Sequence, residues 1–193
     1  MESDEVPLVT EPKQSYPPGK VFDFATTWCL KQVVFWSDMV IKDAWGNEVF
    51  KAESKWSFAR QLDFMDLRNG EKVAHIKQQL MSALPKFDIV VDGNHFASVK
   101  MEWALKPKFT ITPGKAERYS VNSLGIDGPI TIQGDSSWLT RNYEFRCGDR
   151  IIAKVHRPFL VATDTYNVDI EPGMDVIFIL ACCIVIDKST TNT

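Results

Sequence analysis

Between Asp175 and Asp187 the chain runs through eleven apolar residues, VIFILACCIVI, with no polar break. A bilayer crossing takes roughly 20 such residues, whereas eleven cover only about 16 Å as a helix, so the run is too short to span. Isoleucine and valine are abundant in it, and length alone leaves a buried strand open. The flanks favour a helix. Pro172 and Gly173 break whatever precedes it, Asp175 stands where an anion suits a helix N-terminus, and Lys188 where a cation suits the C-terminus. A helix apolar on every side must be enclosed by protein on every side. A barrel with room along its axis supplies that environment, so the run predicts a helix threaded through a barrel.

The rest of the chain fits the wall of such a barrel. From Val21 onward "MVIKDAWGNEVFKAE", "LDFMDLRNGEKVAHIK" and "FDIVVDGNHFASVKMEW" each read as strand, tight turn, strand, with Gly46, Gly70 and Gly93 at the turns. Asp or Asn beside Gly supplies the positive φ angles that tight hairpins need. Alternation agrees: Ala97, Val99, Met101 and Trp103 are expected to face a core, with Ser98, Lys100 and Glu102 facing water. Tyr143, Phe145 and Cys147 share one face, and "CGD" at 147–149 makes another turn. Ten or more short strands follow one another without an amphipathic helix. Antiparallel hairpins in series make a barrel or a sandwich, and closure removes exposed edges. The turn spacing lengthens after Gly93, so hairpin succession explains it better than a solenoid or propeller repeat. The expected organisation is a flexible acidic, proline-rich segment at 1–20, one domain at 21–188 with its helix at 174–187, and a short tail at 189–193. A domain of this size buries about two thirds of its unfolded surface and needs no disulfide or metal staple.

Composition excludes several function classes. A net charge of −3 argues against a dedicated nucleic-acid binder. Cys29, Cys147, Cys182 and Cys183 form no C-x-x-C pair and read as small buried hydrophobes. The first twenty residues are the opposite of a secretory leader, which places the expectation in the cytoplasm. Phosphate-loop, dinucleotide, nucleophile-elbow and zinc-protease motifs are all missing, so no enzymatic activity and no cofactor are expected. His75, His95 and His156 lack ligand spacing. Cys147, Asp149 and His156 flank one hairpin and have the chemistry of nucleophile, orienter and base, but an inward cysteine beside a turn aspartate is the reading taken. Trp45, in the turn "DAWGN", is expected to pack over a neighbouring strand, with an exposed interface anchor as the rival.

The stretch "DTYNVDIEPGMDVIFILACCIVIDKS" (164–189) resembles the C-terminal signature of the LURP-one-related family: a D-T-Y-x-V strand, a P-G-x-D turn and an apolar helix ending in I-D. "IKDAWGNEVFKAE" and "MDLRNGEKVAHIKQQLMS" are similar to that family's first two hairpins. The resemblance covers roughly 21–188, with order and spacing kept. It implies the fold shared with the tubby C-terminal domain and phospholipid scramblases: a mainly β, closed antiparallel barrel of about twelve strands wrapped around a hydrophobic C-terminal helix. Scramblases carry a proposed calcium segment before their last helix, which directs attention to Asp164, Asp169 and Glu171. Their spacing does not fit an EF-hand loop, so they read as strand carboxylates and no metal is expected. The chain lacks the scramblases' proline-rich extension and cysteine-rich insertion, which weakens a calcium-linked lipid-translocating reading.

Two stretches are locally basic. Residues 100–118 hold Lys100, Lys106, Lys108, Lys115 and Arg118 against Glu102 and Glu117, and residues 141–157 hold Arg141, Arg146, Arg150, Lys154 and Arg157 against Glu144 and Asp149. In tubby domains basic residues on neighbouring strands hold a phosphoinositide head group, and "KPK" at 106–108 is similar to such a pair. The resemblance therefore implies a binding module for an anionic phospholipid head group or a protein partner, peripheral at membranes, with contacts from Lys106, Lys108, Arg146 and Lys154. The rivals are a structural or regulatory protein-interaction domain without lipid binding, and the scramblase-like lipid protein.

Overall fold

The apolar run is a helix, and the hairpins close around it. In the computed structural model the described residues are 15–17, 20–33, 38–55, 57–114, 129–134, 142–156 and 165–190. They form β1 (Thr26–Gln32), β2 (Met39–Lys42), β3 (Glu48–Lys55), β4 (Gln61–Asp66), β5 (Glu71–Gln78), β6 (Lys86–Val91), β7 (Asn94–Met101), β8 (Lys108–Pro113), β9 (Ile130–Gly134), β10 (Tyr143–Cys147), β11 (Arg150–His156), β12 (Thr165–Ile170) and α1 (Val176–Thr190). Each strand pairs antiparallel with the next, and β12 closes on β1 with Trp28 opposite Val168. Closure leaves no free edge, which is why so many short strands persist without covering layers.

Inside, the buried residues of the strands surround α1, which lies nearest to β5, β6, β7 and β12. Val176 through Ser189 are all buried, and none of the apolar run is more than 4% exposed. A helix wrapped all round has no polar face to present, which is what its composition requires. Asp175 caps it: its carboxylate accepts a hydrogen bond from the Phe178 amide at 2.9 Å. The helix continues beyond Ile186 because Asp187 and Lys188, though charged, are buried and paired with each other at 3.3 Å. The Ser189 hydroxyl bonds back to the Val185 carbonyl at 2.7 Å. At this end the Arg60 guanidinium donates to the Lys188 carbonyl, supplying positive charge where the helix dipole is negative.

Two local devices shape the wall. Asp92 and Gly93 both take positive φ, 51° and 75°, the mirror-image turn that matches strand twist. Two pairs beyond the turn the register shifts, and Phe96 is the extra residue. Its ring packs on Phe178 of α1 with centroids 5.7 Å apart. Gly114 bonds to the Phe96 carbonyl at 2.7 Å, and a Cβ there would lie 2.0 Å from the His95 oxygen, so only glycine fits.

The alternation predicted for "ASVKMEW" holds at Ala97, Val99, Lys100 and Met101. It fails at Ser98, which is buried on the outer wall under its contacts with Asp88 and His95, and at Trp103, which is exposed. The strand ends at Met101, whose amide bonds to the Pro85 carbonyl, and the chain then turns away. Strand parity no longer places the indole. Trp45 packs edge-on against Tyr16, 4.9 Å between centroids, and remains half-exposed. Trp36, Trp56 and Trp138 lie outside the described residues, as does most of the 1–20 segment. Within that segment Tyr16 is buried against Phe22 and Trp28.

Candidate anion-binding rim

The barrel has two mouths. Among the described residues, the N-mouth, where α1 begins, holds the tight turns at 43–47, 67–70, 92–93 and 148–149, and the C-mouth, where it ends, holds the loops at 57–60, 79–85 and 102–107. The connection between β8 and β9 at the first, and those between β1 and β2, β9 and β10, and β11 and β12 at the second, lie largely outside the described residues. Charge separates along this axis. Residues 55–60, 77–86 and 100–108, Trp56 aside, carry seven cations against one carboxylate, Glu102. At the N-mouth, residues 20–25, 42–48, 66–72, 91–94, 147–150 and 171–175 carry nine carboxylates against five cations.

The centre of the basic rim is set by register. Counting back from the Asp92–Gly93 turn, with Val91 opposite Asn94, would place Lys86 across from Val99. The extra residue at Phe96 shifts it by one, and Lys86 stands directly opposite Lys100. Both face outward. Like charges directly across a sheet are destabilising, so this pairing is a liability for the free barrel. Lys100 pairs in turn with Thr110, which places Lys108 on the diagonal. Lys106 sits in the loop joining β7 to β8, exposed like Lys108. Two carboxylates border the pair: Glu102 lies 3.8 Å from the Lys100 ammonium, and Asp88, two residues along from Lys86 on the same face, feels the Lys86 charge. Four ammonium groups therefore share one corner of the C-mouth.

Arg146 and Lys154 are not part of that corner. Lys108, Gln133, Glu144, Lys154, Asp169 and Thr27 form one continuous row around the barrel. Lys154 is three strands, roughly 14 Å, from Lys108, with a carboxylate on either side. Arg146 lies one row further toward the N-mouth and is held by Glu144 at 2.7 and 3.0 Å. Asp169 accepts from the Thr27 hydroxyl at 2.7 Å and faces His156 at 3.5 Å. Lys115, Arg118, Arg141, Arg157 and Asp164 lie outside the described residues.

Other constellations offer different chemistry. Cys147 is buried and pairs in register with Arg150, at the opposite end of its hairpin from His156, so the two do not meet. A Ser98–Asp88–His95 cluster that sequence spacing did not reveal lies on the outer wall. The Ser98 hydroxyl donates to Asp88 at 2.6 Å, while the one His95 nitrogen, Nε2, lies 3.0 Å from Ser98 and 3.3 Å from Asp88. A nucleophile triad needs the carboxylate on the far ring nitrogen, so this cluster is not built as one. Gln79 adds two bonds at 2.8 Å, and these contacts outweigh burial to hold the Asp88 carboxyl below its usual range. Among the described residues no three potential metal ligands converge. At the N-mouth a concavity of about 490 Å³ has an apolar floor that includes Ile89, Phe96 and Phe178. Lys20 and Asp175 lie at its edge, and burial pushes the Asp175 carboxyl up.

Lys86, Lys77, Phe58, Leu80, Met81 and Leu105 escaped the sequence reading, whereas Lys106 in the same rim was singled out. The only signal was the apolar pair Leu80–Met81 inside a serine- and proline-containing loop, "QQLMSALPK".

A closed twelve-stranded antiparallel barrel around one apolar C-terminal helix is the tubby-like architecture. Residues 26–187 match the LURP-one-related family model, and the chain belongs to that family. It is 28% identical over 148 residues to the uncharacterized protein YxjI of Bacillus subtilis, covering 76% of this chain and 81% of that one. An Arabidopsis thaliana protein of known crystal structure shares the fold with a TM-score of 0.57 at 17% identity, covering 88% of this chain and 93% of the other. No helix among the described residues is long and apolar enough to cross a membrane.

Proposed function

We propose that the protein is a non-enzymatic binding module that recognises an anionic phospholipid head group, a phosphoinositide in the first instance, at the corner formed by Lys86, Lys100, Lys106 and Lys108. The carrying observation is the Lys86–Lys100 pair, two like charges placed face to face on an otherwise acidic protein. A polyphosphorylated ring presents several anionic groups, and convergent ammonium donors suit it as point charges. Lys154 and Arg146, set among Glu144 and Asp169, take a secondary part along the wall.

The test is co-sedimentation with phosphatidylcholine vesicles containing phosphatidylinositol bisphosphate, with soluble inositol hexakisphosphate measured beside it. Each lysine near an anionic surface contributes about 1 kcal/mol, so Lys86→Gln with Lys100→Gln should weaken binding by roughly 30-fold. Lys106→Gln with Lys108→Gln should act similarly and leave the melting temperature unchanged. Binding should fall as salt rises, because exposed charges are screened over about 8 Å at physiological ionic strength. Wild-type protein that ignores both ligands at low salt removes this reading and leaves a protein partner in front. Binding that requires calcium would favour the scramblase-like alternative.

A further inference from the structure

The same mouth that concentrates positive charge also exposes large apolar side chains. Phe58, Met81, Trp103 and Leu105 are each at least 85% exposed, and Leu80 is more than half exposed. They occupy three consecutive loops of one rim: Phe58 between β3 and β4, Leu80 and Met81 between β5 and β6, Trp103 and Leu105 between β7 and β8. Backbone bonds join these loops into one structure. The Gln78 amide donates to the Arg60 carbonyl at 2.8 Å, Gln79 to Lys86 at 2.8 Å, Met101 to Pro85 at 3.0 Å and Glu102 to Lys108 at 2.9 Å. The tips are therefore held at a common level beside the lysine corner.

Their chemistry selects the partner. A protein interface concentrates apolar anchors in a desolvated centre from which lysine is depleted. Here lysines are interleaved with the anchors, and the anchors stand on separate tips. A bilayer surface accepts this mixture. Tryptophan and other apolar side chains enter the interfacial layer while lysine stems reach the phosphates around them. The opposite mouth is acidic and would be repelled by an anionic leaflet, which fixes the orientation.

We infer that the protein docks end-on on an anionic bilayer, C-mouth down, with Phe58, Met81, Trp103 and Leu105 inserted at the interface and the four-lysine corner at the level of the phosphates. The inference rests on the head-group reading for the role of the lysines but adds a separate, apolar component. Insertion leaves the barrel wall and α1 unchanged, because every inserted side chain comes from a loop.

The test uses the full chain with phosphatidylcholine vesicles, with and without phosphatidylserine, and with inositol hexakisphosphate as the soluble probe. Trp103→Ser with Leu105→Ser, and separately Met81→Ser, keep the lysines intact. The double variant should lose about tenfold or more in affinity for the serine-lipid vesicles, keep its affinity for the soluble probe and melt no earlier than wild type. Leu67→Ser, at the opposite mouth, should bind vesicles as wild type does. A folded double variant that binds vesicles undiminished overturns the docking inference. Wild-type protein that binds the soluble probe and ignores vesicles overturns docking and leaves the head-group reading standing. Vesicle binding that the serine variants abolish, without affinity for the soluble probe, supports docking and removes the head-group reading. Wild-type protein that sediments as a dimer, dissociates in the double variant and ignores vesicles means that a second copy covers the rim, and overturns the bilayer.

Discussion

The two mouths of the barrel are built from the same hairpins and do opposite things. Among the described residues of the N-mouth, turns are tight, carboxylates prevail, and the chain is tied down. The Val176 amide bonds to the Lys20 carbonyl and the Gly173 amide to the Phe22 carbonyl, both at 2.7 Å, while Tyr16 and Phe22 cover Trp28. Among the described residues of the C-mouth, the loops are longer than those turns, cations prevail and apolar tips face solvent. Backbone bonds from neighbouring segments hold the start of the helix and the Arg60 side chain holds its end, while the C-mouth loops beyond carry groups that cost the free protein stability. The facing lysines and the exposed Trp103 indole are such groups.

The contrast breaks most completely if α1 is disturbed, because both mouths hang on it. Ile179→Asp or Leu180→Asp places an unpaired charge among apolar neighbours on every side, and either should abolish cooperative thermal unfolding. A soluble, cooperatively melting Leu180→Asp protein would mean that the helix is not central.

Next in size is acid sensitivity of the N-mouth. Burial pushes the Asp66 carboxyl up, but the Arg68 guanidinium and amide outweigh it and hold the group below the ordinary carboxylate range. A carboxyl lowered in the folded state contributes stability above its unfolded pKa, and that contribution is lost as pH falls through the folded value. Asp43, held by Asn47 and the Trp45 amide against the same burial, adds to the effect in the same direction. Asp66→Asn should therefore flatten the loss of melting temperature between neutral and acidic pH. An unchanged slope would separate these turns from acid denaturation.

Removing the helix cap is smaller still. Asp175→Ala should cost about 0.5–2 kcal/mol, read from denaturant midpoints, since it orphans the Phe178 amide. Its carboxyl is pushed up by burial, the reverse of Asp66, so the native state takes up a proton before the unfolded chain does. The cost of Asp175→Ala should therefore grow as pH falls through the native value.

The smallest effect has the opposite sign. Lys86→Gln with Lys100→Gln should raise stability by about 0.2–1 kcal/mol, by removing a like-charge pair, while weakening anion binding. A double variant that is destabilised would show that the two ammonium groups are not in conflict, and would take away the reason for assigning them a ligand.

The central helix and the hairpins were legible in the chain itself. Eleven apolar residues too few for a bilayer and too uniform for a surface leave only an enclosed axis, and Gly46, Gly70 and Gly93 mark turns whose positive φ is a local requirement. Side-chain parity was legible wherever a strand runs straight, as from Ala97 to Met101. It failed at the points where the chain stops being periodic. One extra residue at Phe96 moved Lys86 from Val99 to Lys100, and the strand end at Met101 turned Trp103 outward. Lys154 read as a free cation because its neighbours, Glu144 on β10 and Asp169 on β12, flank it only when the strands are laid side by side. The Glu144 that holds Arg146, by contrast, stands two residues before it on the same strand and was within reach of the sequence. A period-two pattern carries the face of each residue. Which residue stands opposite, and which loops share a mouth, depends on bulges and on closure between segments far apart in the chain, and those are properties of the assembled barrel alone.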